Sequence, residues 1–437
     1  MEINPVKGTH DIIAEEAELY SNIELSAKIN AYQFGFSEIR TPIIEHSPLF
    51  IRSVGESSDI VTKEMYTFLD KGNREITLRP EMTAGVLRSV VSNKLYATND
   101  LPLKYFYIGP CFRYERPQAG RYRQFHQIGI ELIGARNEND DAEVIAFGKR
   151  YLESIGLDKV KVVINTLGDQ KSRDNYRIAL KEYFAKHIDS MCEDCKRRFE
   201  INPLRILDCK VESDKEIVKD APKMKDYLSD EAKISFHKII DLLDEIGIEV
   251  EIDDTLVRGL DYYTGVVFEY HLDGSEDIGA LGGGGHYKNL LKELGGPDLE
   301  GVGLAFGEER LCSVITKLNG EFENVGPDFY IMSMGESALN ASFMLKNAIR
   351  LLGYSVDGNV ENKSFKSLFK IAIKKNASFA MIVGDNEINT KTLTVKNLKT
   401  QEQTSFAFAD MEQVLDDLMN KYHEDEENEG DLDGKNM

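Results

Sequence analysis

Residues 112–131 read FRYERPQAGRYRQFHQIGIE. Four arginines, Arg113, Arg116, Arg121 and Arg123, fall within eleven residues, with aromatics between them and Glu115 and Glu131 at the flanks. The runs PLKYFYIGPCFRYE and RQFHQIGIELIG are β-rich, and Pro117 and Gly120 between them suit a turn. The stretch therefore reads as a long antiparallel hairpin carrying fixed positive charge. Arginine stays protonated and grips phosphate oxygens as a fork. Held on a sheet, that fork suits a phosphate under attack, and neighbouring aromatics can stack on a base. A salt-bridged, exposed hairpin has the same pattern, so the stretch alone leaves both readings open.

Away from the hairpin the chain is acidic. Its 437 residues carry a formal charge of −22, which argues against binding polyanions through the whole surface. A local basic patch can still contact nucleic acid. The length allows two or three domains. With no apolar run near the ~18 residues of a membrane span and no basic-then-apolar start, a cytoplasmic protein with no membrane contact is expected. The last segment, KYHEDEENEGDLDGKNM, holds seven acids against two lysines and is expected to be a disordered tail over 421–437.

Apolar spacing from Ala17 to Ala31 predicts a helix ended by Gly35, then a strand over SEIRTPII with Pro42 near its end. REITLRPEMTAGVLRSVVSNKL reads as a strand, Pro80 at a helix start, and a helix. Amphipathic helices and dense charge from about 170 to 245 predict a helical insertion. β-Signals return in LVRGLDYYTGVVFEYHL, followed by glycine-rich GALGGGGHYKNL and a strand-turn-helix in GVGLAFGEERLCSVIT. Beyond Val325, strands and helices alternate as in βα units, which predicts a separate domain over 326–420.

Three further stretches carry candidate chemistry. In LVRGLDYYTG, Arg258 sits among apolar residues, and a strand would turn Tyr262 and Tyr263 to opposite faces. In LRPEMTAG, Glu81 and Thr83 place a carboxylate and a hydroxyl at a strand-to-helix junction. They can bind a ligand ammonium or simply favour the helix start. In GLAFGEERL, Arg310 stands at a helix start. Each has an ordinary structural reading when taken alone.

Taken in order, these stretches resemble the class II aminoacyl-tRNA synthetases, and specifically the histidyl-tRNA synthetase family. The helix and strand ending at Pro42 resemble motif 1, a dimer element. FRYERPQAGRYRQFHQ resembles motif 2 and GLAFGEERL motif 3. LVRGLDYYTGVVFE and ALGGGGHYKNL resemble the two histidine-specific signatures. The second signature usually carries Arg-Tyr-Asp-Gly where this chain has His286-Tyr287-Lys288-Asn289, so no catalytic role is expected of His286 or Lys288.

The resemblance implies an α/β fold of the α+β kind. It would have a catalytic core over 1–325, built on an antiparallel sheet with the helical insertion, followed by an anticodon-binding domain. It implies a homodimeric ligase that makes histidyl-adenylate from histidine and ATP with Mg2+, then charges tRNA-His. Arg113 and Arg258 would stabilise the α-phosphate. Glu115 and Phe125 would hold adenine, and Arg310 would clamp the nucleotide. Glu81, Thr83 and Gln127 would take the α-ammonium, while Glu131, Tyr262 and Tyr263 would complete the histidine site. The alternative is a non-catalytic histidine-sensing paralogue, but such relatives usually lose motif 2 and VRGLDYY, which are intact here.

Cys111, Cys192, Cys195, Cys209 and Cys312 are too scattered for a disulfide framework. Cys192 and Cys195 form C-x-x-C with His187 and Cys209 nearby. One pair and two stragglers in a charged insertion read as reduced structural cysteines, and no metal site is expected.

Overall fold

The computed structural model describes residues 3–55, 58–116, 120–259, 262–275, 278–319, 326–359 and 361–433. The chain divides into two units, Met1–Glu321 and Phe322–Met437. The expected boundary residue Val325 and the turn residue Pro117 lie outside the described residues.

The first unit opens with α1 (Glu15–Gln33), β1 (Ser37–Glu38), β2 (Ile44–His46), α2 (Ser47–Val54), β3 (Tyr66–Leu69), β4 (Glu75–Leu78) and α3 (Thr83–Ser92). The long hairpin β5 (Leu103–Phe112) and β6 (Gln124–Ile133) follows, then α4 (Glu138–Ser154) and β7 (Val160–Thr166). The insertion holds α5 (Gln170–Phe184), α6 (Glu193–Ile201), α7 (Glu212–Lys219) and α8 (Asp230–Glu245). After it come β8 (Val250–Ile252), β9 (Tyr263–Leu272), β10 (Ala280–Tyr287), α9 (Leu290–Glu293), β11 (Gly301–Gly307) and α10 (Glu308–Asn319).

Eight strands form one sheet in the order β1-β5-β6-β11-β10-β9-β7-β8. Its inner pairs are antiparallel, and only the outermost pairs, β1 with β5 and β7 with β8, are parallel. The hairpin keeps one register from Leu103 opposite Ile133 to Phe112 opposite Gln124. Strand alternation turns Ile128, Ile130 and Leu132 to one face and Phe125, Gln127 and Glu131 to the other. The first trio is buried. The second lines cavities.

Three expectations fail locally. SEIRTPII is not one strand: β1 and β2 join different sheets. Pro42 cannot donate to a ladder, and the carbonyl of Thr41 is taken by the Arg79 guanidinium at 2.8 Å. Pro80 does not start a helix, because α3 begins at Thr83. The intervening carbonyls of Arg79 and Pro80 instead accept from Phe112 N–H (2.9 Å) and Arg113 Nε (2.8 Å), tying that segment to the end of β5. LVRGLDYY is not strand before Tyr263. Its residues Leu260 and Asp261 lie outside the described residues.

The second unit contains β12 (Phe329–Ser333), α11 (Glu336–Leu351), β13 (Val356–Gly358), α12 (Phe365–Lys374), β14 (Phe379–Val383), α13 (Asp385–Thr390), β15 (Thr392–Asn397), β16 (Gln403–Ala407) and α14 (Met411–Asp433). Its sheet runs β13-β12-β14-β15-β16, parallel through β14 and antiparallel beyond. The helix α14 runs from Met411 into the segment expected to be a tail, as far as Asp433. Leu415 and Met419 are buried and Tyr422 packs on Phe379, which nucleates the helix.

Candidate active site

Two adjoining cavities open on the sheet face that carries Phe125, Gln127 and Glu131. The smaller, about 360 Å³, is lined by Glu81, Thr83, Gln127, Glu131, Tyr262 and Tyr263, and also by Tyr107 and Tyr287. The larger, about 420 Å³, is lined by Glu115, Phe125 and Arg310, with Glu64, Glu269 and Glu309. Arg113, Arg121 and Arg258 line both. The residues assigned above to histidine therefore share one cavity, and those assigned to ATP share the other.

The smaller cavity is built around a buried carboxyl. Glu131 accepts from Thr83 Oγ1 (2.6 Å), Tyr287 Oη (2.9 Å) and Tyr107 Oη (3.2 Å). Burial pushes its pKa up to about 8 despite those donors, and the nearby Glu81 adds to the rise. Opposite it on β11 stands Gly303, where an added Cβ would lie 2.1 Å from Glu131 Oε2. Glu81 is also buried, and it caps the first turn of α3 by accepting from Ala84 N–H at 3.0 Å. Burial raises its pKa as well. Gln127 accepts from the Cys111 thiol at 3.3 Å through its carbonyl oxygen.

Tyr262 and Tyr263 do not divide between cavity and core. Tyr262 precedes the strand, so alternation does not apply to it, and both rings line the cavity with centroids 4.5 Å apart. Tyr287 was in view only as part of a departing signature, and Tyr107 was not singled out. A tyrosine in an apolar strand looks like core, and both are indeed buried.

The larger cavity is built from fixed charges. Arg113 is anchored by its Nε bond to Pro80 and lies over the Phe125 ring, 5.1 Å from its centroid. Arg258 donates to Glu269 on β9 and sits above β10, where a Cβ on Gly283 would come within 2.8 Å of its Nη1. Burial pulls the Arg258 pKa down, but Glu269 outweighs it and leaves the pKa raised. Burial also works to raise Glu269, yet His271 and Arg258 hold it below its ordinary value. Glu269 had a legible signal, a lone acid in VVFEYHL. Arg310 donates to the carbonyl of Ala280, and Glu309 accepts from His126 N–H (2.8 Å) and its ring Nδ1 (3.0 Å).

His286 and Lys288 line neither cavity. They line a third, about 520 Å³, where His286 bridges Asp141 (2.8 Å) and Glu300 (2.9 Å). Burial opposes its protonation, but the two carboxylates prevail and carry its pKa up to about 9.

An antiparallel sheet with arginines held across one face, beside a deep polar pocket, defines the catalytic domain of a class II aminoacyl-tRNA synthetase. The histidyl-tRNA synthetase family model matches residues 8–311, and an anticodon binding domain model matches 328–418. The chain is 47% identical over 399 residues to a histidine–tRNA ligase of Thermosipho melanesiensis, covering 91% of this chain and 94% of that protein. It is 45% identical over 419 residues to one of Bacillus licheniformis, covering 95% and 99%. The apo histidyl-tRNA synthetase of S. aureus superposes with a TM-score of 0.80 at 35% identity, covering 95% of this chain and 100% of that one. The chain belongs to the histidyl-tRNA synthetase family.

Proposed function

We propose that the two joined cavities divide the substrates of a histidine–tRNA ligase between them. The ligase activity follows from family membership: this is an ATP-dependent enzyme that activates histidine and transfers it to tRNA-His. The observation that carries the division is the meeting of the cavities at Arg113 and Arg258. ATP occupies the larger cavity. Glu115 accepts from the adenine amino group, Phe125 stacks on the base and Arg310 holds the outer phosphates. The histidine carboxylate attacks the α-phosphate, forming a P–O bond as pyrophosphate leaves. Arg113 and Arg258 hold the non-bridging oxygens, where charge builds. The 3′-terminal ribose hydroxyl of tRNA-His then attacks the acyl carbon and releases AMP.

In the smaller cavity Glu81, Thr83 and Gln127 take the α-ammonium. A neutral imidazole has one donor and one acceptor nitrogen. The Glu131 carboxylate takes the donor and the Tyr263 hydroxyl serves the acceptor, with Tyr262 walling the ring. Pairing of this kind rejects apolar isosteres, which would strand buried polar groups.

Mg2+ enters with ATP. Glu64 fits it on the protein side, being a cavity carboxylate pushed up in pKa by burial and by neighbouring Glu115, a strain that a cation relieves. Bound there, the ion would supply positive charge to the polyphosphate. The homodimer is supported by an exposed apolar stripe on α1 formed by Leu25, Ile29 and Tyr32. Cytoplasmic action fits an enzyme of translation, and no helix among the described residues is long and apolar enough to cross a membrane. The second unit reads the anticodon, with the exposed Lys366, Lys370 and Lys374 of α12 and adjoining Lys375 as phosphate contacts. ATP–pyrophosphate exchange with each of the twenty amino acids tests the reading. Exchange with histidine alone is expected, and exchange led by another amino acid defeats it.

A further inference from the structure

The insertion brings together four side chains that the reaction does not use. Cys192 caps the start of α6 and Cys195 lies in its first turn. Cys209 follows the turn Pro203–Asp208, and Asp214 sits in the first turn of α7. One ligand atom from each lies within 4.8 Å of all the others. Cys195, Cys209 and Asp214 are buried. His187, which the sequence placed nearby, is not in the group, and Asp214 supplies the fourth ligand that C-x-x-C and Cys209 lacked.

We propose that Cys192, Cys195, Cys209 and Asp214 form a closed, structural zinc site. A tetrahedral zinc with Zn–S near 2.3 Å sets sulfur–sulfur edges of about 3.8 Å and sulfur–oxygen edges of about 3.6 Å. Cys192 Sγ and Cys209 Sγ are 3.9 Å apart, and Cys209 Sγ and Asp214 Oδ2 are 3.3 Å apart. A disulfide would need sulfurs about 2.05 Å apart, and all three cysteines are free. The N-terminus of α6 points its positive end at the first pair. The backbone N–H of Val211 is directed at Cys209 Sγ, and that of Cys192 donates to Asp214 Oδ2 at 3.0 Å. Binding exchanges the protons of three thiols for one Zn2+. Three cysteines with a carboxylate match zinc better than magnesium or calcium, which prefer all-oxygen sites.

The site pins α6, the turn at 203–208 and α7 into one body. Between Cys195 and Cys209 lie Arg198, Arg205 and Asp208, all on the wall of the larger cavity. Arg205 donates to the carbonyl of Gly259, beside Arg258. Zinc would therefore set the position of that wall. This consequence rests on the proposed nucleotide site, whereas the zinc itself does not.

The test uses the full-length chain without a metal-binding tag, purified reduced and free of chelator. Elemental analysis should find about one zinc per chain, released in step with thiol modification by a mercurial. Protein exchanged with Co2+ should show tetrahedral ligand-field bands and thiolate-to-cobalt charge transfer. Cys209→Ser and Asp214→Asn should lose both. Zinc removal should raise the KM for ATP several-fold and spare that for histidine. Wild-type protein that holds no zinc and takes up neither Zn2+ nor Co2+ under reducing conditions overturns the proposal, whether or not the variants fold. Unchanged cobalt spectra in both variants overturn the ligand set. Zinc present in the wild type, with an ATP KM that does not move on its removal, overturns the link to the cavity wall.

Discussion

The two cavities solve recognition with opposite chemistry. The larger fixes permanent cations in place: Arg113 on the Pro80 carbonyl, Arg310 on the Ala280 carbonyl and Arg258 on the Glu269 carboxylate. The smaller buries a carboxyl that titrates, ringed by the hydroxyls of Thr83, Tyr107 and Tyr287. Fixed charge serves a reaction that builds charge in one place. A desolvated carboxyl serves discrimination, because an ill-matched ligand adds no proton donor to it and buries it further. The first cavity should thus respond to charge removal and ignore neutral pH, while the second should respond to small displacements and to pH.

Arg258→Ala gives the largest expected effect. Removing a donor from the position of developing charge costs about 2.7–4 kcal/mol, or 10²–10³ in kcat. Pyrophosphate exchange should fall that far while the melting curve keeps its cooperativity. A near-parental rate would show that the larger cavity does not work through this cation.

Gly303→Ala should come next and act on the other cavity. The new methyl would collide with the Glu131 carboxylate, 2.1 Å away, and push it off the imidazole position. A misplacement near 1 Å can cost about 10² in kcat/KM. The loss should fall on histidine, with the KM for ATP unmoved. Equal losses for both substrates would mean that the cavities are not separable.

What the sequence showed of this division depended on contrast. Glu131 stands out because it interrupts an apolar strand, and Arg113 and Glu115 because they follow one directly, just past the end of β5. Tyr107 and Tyr287 were hidden because a hydroxyl aimed at Glu131 leaves no mark on an apolar pattern. The run around β10 stood out only as glycine-rich, and nothing in the sequence showed that Gly283 and Gly303 make room for Arg258 and Glu131. Asp214 was lost among the other acids of the insertion, since only folding sets it beside Cys209. Break points at Pro42 and Pro80 were legible, but not the long-range carbonyl bonds that fix the chain around them. The expected disordered tail missed the apolar anchors Leu415 and Met419 just before it and Tyr422 at its start.

His286 gives the smallest expected effect, and it lies outside both cavities. Its pKa rises from 6.5 to about 9 on folding. The stability it adds is full below pH 6.5 and is lost as pH climbs through 9. The gap in stability between wild type and His286→Gln should shrink over that window by on the order of 1–3 kcal/mol. His286→Arg should keep its pairing throughout. A gap that is flat with pH would show that the imidazole is not the charge that matters.

Glu131→Gln tests the division of labour most directly. Equilibrium binding of histidine and of ATP, each alone, should be measured for parent and variant from pH 6.5 to 9. With its pKa near 8, Glu131 must lose a proton to receive the imidazole N–H. Parental histidine affinity should therefore be about tenfold weaker at pH 7 than on its plateau, beyond the effect of the ligand's own titration. The variant should bind histidine weakly without that dependence on Glu131, and should bind ATP like the parent at every pH. ATP affinity falling in parallel with histidine affinity would contradict the assignment of one substrate to each cavity.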